Sequence, residues 1–200
     1  MERRSAFPEA AGRSARKSMT RVIGHPRLHV GLFDLGTATP RQYGGIGMAI
    51  DGPTTVVSAE AGSQFSIGGL ELVDDGGVAD LENAVGRLLA GRPVPSVSVT
   101  IHALPPQHVG LGTKTTLVLS MLKAISEAAG LDASDAELRV ASGRGGTSGI
   151  GIHTFFAGGL VTDGGHRTDA PRTYRPSSSG VPLRLPPLVS RVSMPARWRS

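Results

Sequence analysis

Val97-Ser-Val-Thr-Ile-His-Ala-Leu104, Pro105-Pro-Gln-His-Val-Gly110-Leu-Gly-Thr-Lys-Thr-Thr116 and Leu117-Val-Leu-Ser-Met-Leu-Lys-Ala-Ile-Ser-Glu-Ala-Ala129 follow one another without a break. The first run alternates apolar and polar residues, the period of a half-buried strand. Pro105 and Pro106 end it, because proline cannot continue a hydrogen-bonded ladder. The third run is a helix, stopped by Gly130. Between them, Gly110 and Gly112 let the backbone curl so that several N–H groups converge at the positive end of the helix dipole. Lys114 and the hydroxyls of Thr113, Thr115 and Thr116 add charge and donors, which suits a phosphate or diphosphate. A tight strand-to-helix turn with no ligand has the same spacing. The segment is not a Walker A loop, since Thr113 separates Gly112 from Lys114, and no complete Gly-x-Gly-x-x-Gly is present.

Working outward, Val78–Ala90 repeats its apolar residues at three- and four-residue spacing, with Asp74 and Asp75 ahead of it and Gly91 and Pro93 behind. That predicts a helix. Upstream, Val22–His25 and Leu28–Phe33 read as strands, residues 37–47 as a turn-rich loop, and Thr54–Ser58 and Phe65–Ile67 as further strands. Downstream, a helix is expected from about Asp135 to Ala141, with Ser134 and Glu137 at the spacing of a capping box. A second glycine-rich loop, Gly143-Arg-Gly-Gly-Thr-Ser-Gly149, follows. Its guanidinium and the hydroxyls of Thr147 and Ser148 suit a phosphate, or the loop simply joins two elements. Ile150–Phe156 and Gly159–Thr162 read as paired strands. Six prolines interrupt the chain after Thr168, leaving Leu188–Met194 as an edge strand. The organisation expected is a disordered basic lead-in over 1–20, a mixed α and β domain over 21–167, and a Pro/Arg-rich linker over 168–200.

The composition narrows the chemistry. With 39% hydrophobic residues there is enough apolar material for one core, and 28 glycines with 14 prolines argue for loops rather than a bundle. No cysteine is present, which excludes disulfides, thiolate metal sites and a cysteine nucleophile. No stretch approaches about 18 consecutive apolar residues, the length of a membrane-spanning helix. The expectation is a soluble, cytoplasmic chain with no membrane partner. The net charge of +5 is unevenly spread, with balances of +5 over 1–29, −6 over 30–165 and +6 over 166–200. An acidic body with basic ends and only eight aromatic residues argues against nucleic acid. Pro26 between His25 and His29 argues against a zinc-binding helix. His153 and His166 flank the last expected hairpin and could face one site, or each could be structural. Asp34, Asp51 and Asp163 lie nearest the glycine-rich segments. One of them could hold magnesium together with substrate phosphates, or cap a turn.

Several strings occur in a familiar order: Arg27-Leu-His-Val-Gly-Leu-Phe-Asp34, Gly44-Gly-Ile-Gly-Met-Ala-Ile50, the Pro105–Thr116 loop, Gly143-Arg-Gly-Gly-Thr-Ser-Gly-Ile-Gly-Ile-His153, and Gly158-Gly-Leu-Val-Thr-Asp-Gly-Gly-His166. Over about residues 22–198 the chain resembles the β-ribofuranosylaminobenzene 5'-phosphate synthase family and its C-nucleoside synthase relatives, in the GHMP kinase superfamily. The resemblance implies an α+β fold: the superfamily's N-terminal domain, of the ribosomal protein S5 domain 2-like type, with a mixed sheet and helices on one side. Most of a second domain would be missing, so the chain would be C-terminally truncated.

The chemistry implied joins phosphoribosyl diphosphate to an aromatic carboxylic acid, 4-aminobenzoate or 4-hydroxybenzoate, with loss of diphosphate and carbon dioxide. It also implies magnesium and, for the whole protein, a homodimer. On that resemblance the phosphate-binding residues are Gly110, Leu111, Gly112, Thr113, Lys114, Thr115, Arg144, Gly145, Gly146, Thr147 and Ser148. The catalytic candidates are His29, Asp34 and His153, and the metal ligand is Asp163. An ATP-dependent small-molecule kinase and a truncated, inactive remnant are the alternatives.

Overall fold

The computed structural model describes residues 19–33, 39–145, 148–167 and 185–193. Asp34, Gly146 and Thr147, the lead-in over 1–18, and most of the Pro/Arg-rich tail lie outside them. Ten strands and four helices follow one another in the described residues. They are β1 (Thr20–Gly24), β2 (Arg27–Phe33), β3 (Arg41–Gln42), β4 (Gly44–Ala49), β5 (Thr55–Ala61), β6 (Ser66–Gly68), α1 (Asp75–Leu88), β7 (Val97–Ala103), α2 (Thr113–Ala128), α3 (Asp135–Ser142), α4 (Gly149–Ala157), β8 (Leu160–Asp163), β9 (His166–Arg167) and β10 (Leu188–Val192).

A mixed sheet is ordered β1-β5-β7-β6, with β6 parallel to β7 and the other pairs antiparallel. Its alternating strand residues Val57, Ala59, Val97, Val99 and Ile101 bury one face in a core shared with α2, on which α1 and α3 pack in turn. The centre is α2, where Leu117, Val118, Met121, Leu122 and Ile125 are almost wholly buried. This is the α+β arrangement expected from the sequence, with helices on one side of a mixed sheet. A second, antiparallel sheet, β10-β8-β4-β2, carries α4, and a two-stranded ribbon pairs β3 with β9. The capping box of α3 forms as read, with Glu137 N–H donating to Ser134 Oγ and Ser134 N–H to Glu137 Oε2.

Two elements differ from the sequence reading. Residues 44–47, read as turn, belong to β4. Residues 150–156, read as a strand, lie in α4. The same packing explains both. A Cβ on Gly45 would stand 2.9 Å from Ile150 Cγ1, and one on Gly47 would overlap Ile150 Cγ2 and the Leu28 carbonyl. The glycines of β4 therefore leave a bare strip of strand on which α4 rests. Tertiary burial then overrides the β propensity of the isoleucines and phenylalanines in α4.

Candidate anion cradle and adjoining acceptor site

α2 begins at Thr113, so Lys114, Thr115 and Thr116 lie in its first turn rather than in a preceding loop. No side chain caps the helix. Its N-cap is Gly112 in the left-handed conformation, φ 74°. The first N–H groups are thus aimed outward under a positive dipole end, the requirement for holding an anion. Thr113 is committed to the turn itself, donating its hydroxyl to the Pro106 carbonyl at 3.0 Å. His108, also at positive φ, is fixed by Asp74, whose Oδ2 lies 2.7 Å from His108 Nε2. Asp74 meanwhile caps α1 through Gly77 N–H. Those two contacts, the hydrogen bond to His108 foremost, hold the Asp74 carboxyl below its ordinary value.

Three cations converge on this end of α2. Lys114 is in the helix. Arg144 reaches in from the loop after α3 and donates Nε to Thr115 Oγ1 at 3.3 Å, while Thr115 Oγ1 lies 2.9 Å from Ser148 Oγ. Thus the second glycine loop meets the first, and Thr115, Arg144 and Ser148 form one hydrogen-bonded set. The third cation, Arg27, enters from β2. Its backbone N–H donates to the Leu111 carbonyl at 2.9 Å and its Nη1 to the Gly110 carbonyl. Arg27 was not singled out from the sequence, although Arg27 and His29 share one face of a strand by the two-residue period. Among the described residues no carboxylate ion-pairs with Arg27 or Arg144. Burial lowers the pKa of both guanidinium groups, and Arg144 lowers that of Arg27 further. Arg27 Nε is buried without a hydrogen-bond partner. A polar atom left so in a charged site is a place for an anionic oxygen.

Beside the cradle lie His29 and Asp163. Both approach Gly45: a Cβ there would be 3.1 Å from His29 Nε2 and 3.2 Å from Asp163 Oδ2. Asp163 is 3% exposed, and its Oδ1 accepts from Gly45 N–H at 3.1 Å and Gly165 N–H at 2.9 Å, leaving Oδ2 uncommitted to those amides. Burial first, and then Arg27, hold the His29 imidazole below its ordinary pKa, against the opposite pull of Asp163 and a hydrogen bond with the Gly31 backbone. At neutral pH His29 is therefore the uncharged imidazole. His153 makes a different contact. It is buried within α4 with Nε2 2.8 Å from the Pro186 carbonyl, a contact that anchors the segment entering β10. Gly145 follows Arg144 in the second loop. Among the described residues no group of three His, Cys, Asp or Glu side chains is placed to hold a metal ion.

No protein-family model matches the chain. It is 32% identical over 194 residues to the β-ribofuranosylphenol 5'-phosphate synthase of Methanothermobacter thermautotrophicus, and 33% identical over 179 residues to that of Archaeoglobus fulgidus. Each match takes in 88% of this chain and 55% of the relative, so the chain spans about half the length of the curated relatives it matches. In fold it is similar to the phosphomevalonate kinase of Streptococcus pneumoniae, with a TM-score of 0.57, 17% identity, and 74% of this chain and 49% of that one covered. The mevalonate kinase of Methanococcus jannaschii gives a TM-score of 0.55 at 14% identity, covering 80% of this chain and 57% of that one. The chain shares its fold with these two kinases. Among the described residues no helix is long and apolar enough to cross a membrane.

Proposed function

The chain is related to the β-ribofuranosylphenol 5'-phosphate synthases over most of its length, and from that premise we propose that it carries the diphosphate-holding part of a C-glycoside synthase. The substrates are phosphoribosyl diphosphate and a para-substituted benzoate. A ribosylphenol product selects 4-hydroxybenzoate. The new bond joins ribosyl C1 to the ring carbon that bore the carboxylate. The bond from C1 to diphosphate breaks, and carbon dioxide leaves with its bonding electrons returned to the ring. With 4-aminobenzoate the same steps give the aminobenzene product.

One observation carries this reading: Arg27, Arg144 and Lys114 gather at the uncapped start of α2, with neutral His29 and the Asp163 carboxylate immediately beside them. The cradle receives the diphosphate and stabilises the charge that grows on it as the C1–O bond breaks. Positive character develops at ribosyl C1 as that bond breaks. His29 orients the acceptor, and being uncharged it adds no cation next to that centre. Magnesium fits the uncommitted Oδ2 of Asp163 together with diphosphate oxygens, and when bound it neutralises leaving-group charge.

The test is to incubate the chain with magnesium, phosphoribosyl diphosphate and carboxyl-labelled 4-hydroxybenzoate. Labelled carbon dioxide and diphosphate should appear in equal amounts. The kinase-like fold favours a second reading, an ATP-dependent small-molecule kinase. ATP binding without binding of phosphoribosyl diphosphate would replace the synthase with it. Binding of phosphoribosyl diphosphate without carbon dioxide would leave a binding half that needs the remainder of a longer protein.

A further inference from the structure

α1 offers two carboxylates to the site, Asp74 and Asp80, and they are engaged differently. Asp74 is consumed by its cap and by His108. Asp80 lies in the helix interior, where aspartate is a poor helix former and no cap requires it. Its Oδ2 is 3.0 Å from Lys114 Nζ, across the gap between α1 and the first turn of α2. Among the described residues it is the one carboxylate that ion-pairs with a cation of the cradle. Its charge also acts on Arg144.

The geometry points to Asp80 as the internal counter-anion of the cradle: a positioning residue that holds Lys114 when no diphosphate is bound and yields it when diphosphate arrives. This rests on reading the cradle as a diphosphate site. Two phosphates entering beside Arg27, Arg144 and Lys114 meet Asp80 as a like charge, so each binding event exchanges an internal ion pair for an external one. The exchange weakens the hold on free diphosphate. For a reaction whose leaving group is diphosphate, a weaker hold on the product is what turnover needs.

Magnesium diphosphate, titrated calorimetrically into the wild-type chain and its Asp80→Asn variant, tests the exchange. At an ionic strength of about 10 mM the variant should bind about fivefold more tightly, the worth of one exposed pair. At about 150 mM the gain should shrink, because the lost repulsion is screened. Asp80→Ala, a better helix former, should show the same gain and guards against a folding defect in the first variant. In a Lys114→Gln background the substitution should gain much less. Unchanged or weaker binding by both variants overturns the inference, and so does a gain undiminished in the Lys114→Gln background. Wild-type protein that does not bind diphosphate at all overturns the cradle itself. Binding that is indifferent to Asp80 overturns only the counter-anion.

Discussion

Arg27 lies across the place where Gly112 has no side chain. A Cβ on Gly112 would stand 3.0 Å from both Cγ and Nε of the arginine. The residue that opens α2 and the cation that β2 delivers to it are therefore fitted to each other, and glycine is required twice there, for φ 74° and for space. Gly112→Ala should cost about 1–2 kcal/mol of stability from the left-handed backbone. It should also displace Arg27, so diphosphate affinity should fall as well. Chemical denaturation and calorimetric titration separate the two effects.

Arg144→Lys keeps the charge and loses the fork. The donation to Thr115 Oγ1 disappears with it, and an ammonium does not reproduce planar contact with a phosphate. Diphosphate binding should weaken about tenfold, the scale of one charge-assisted hydrogen bond. The melting temperature should move little. An affinity equal to that of the wild type would remove Arg144 from the cradle.

The stability of the chain should fall as the solution is acidified, in part through His29. Its folded pKa is below the ordinary 6.5, so the folded state binds its proton less readily than the unfolded chain does. The contribution is full above about 6.5 and is lost progressively as pH falls through the depressed folded value. Urea midpoints across that range should show a smaller acid loss for His29→Gln than for the wild type.

Asp163→Ala strands two buried amides, those of Gly45 and Gly165. Each unsatisfied group costs on the order of 1–2 kcal/mol, so a loss of about 2–4 kcal/mol in urea unfolding is expected. Asp163→Asn keeps one acceptor oxygen and should lose less stability, while still removing the charge of the proposed magnesium ligand. If the chain turns over, carbon dioxide release should fall in Asp163→Asn, and magnesium diphosphate affinity should fall with it because the proposed magnesium ligand is lost.

Much of this was legible in the sequence where one physical cause dominates. The alternation of Val97–Ala103, the apolar spacing of α1 and α2 and the Ser134/Glu137 box all act locally; the strand and the box formed where the residues said, and the two helices formed with starts three and four residues earlier. The meeting of the two glycine loops was foreshadowed by their composition, but the Arg144–Thr115–Ser148 set depends on α3 and α4 bringing separate segments together. Arg27 and Asp80 were passed over because neither stands in a glycine-rich segment. Their significance comes from β2 and α1 lying against the start of α2. The strip Gly44–Gly47 was misread because glycine-rich sequence has two uses, to turn a chain or to let another chain come close.

That second use governs where the chemistry sits. α4 carries glycines of its own on the facing side: a Cβ on Gly149 would fall 2.5 Å from Asp163 Oδ2, and one on Gly151 2.5 Å from Ser148 Oγ. Ser148 at one end of this contact belongs to the candidate cradle, and Asp163 lies at the other. The span between the cradle and Asp163 is therefore gauged by atoms that are absent. A methyl group added at Gly47 or Gly151 would act as a shim, opening the spacing between the cradle and Asp163 without touching a charged side chain.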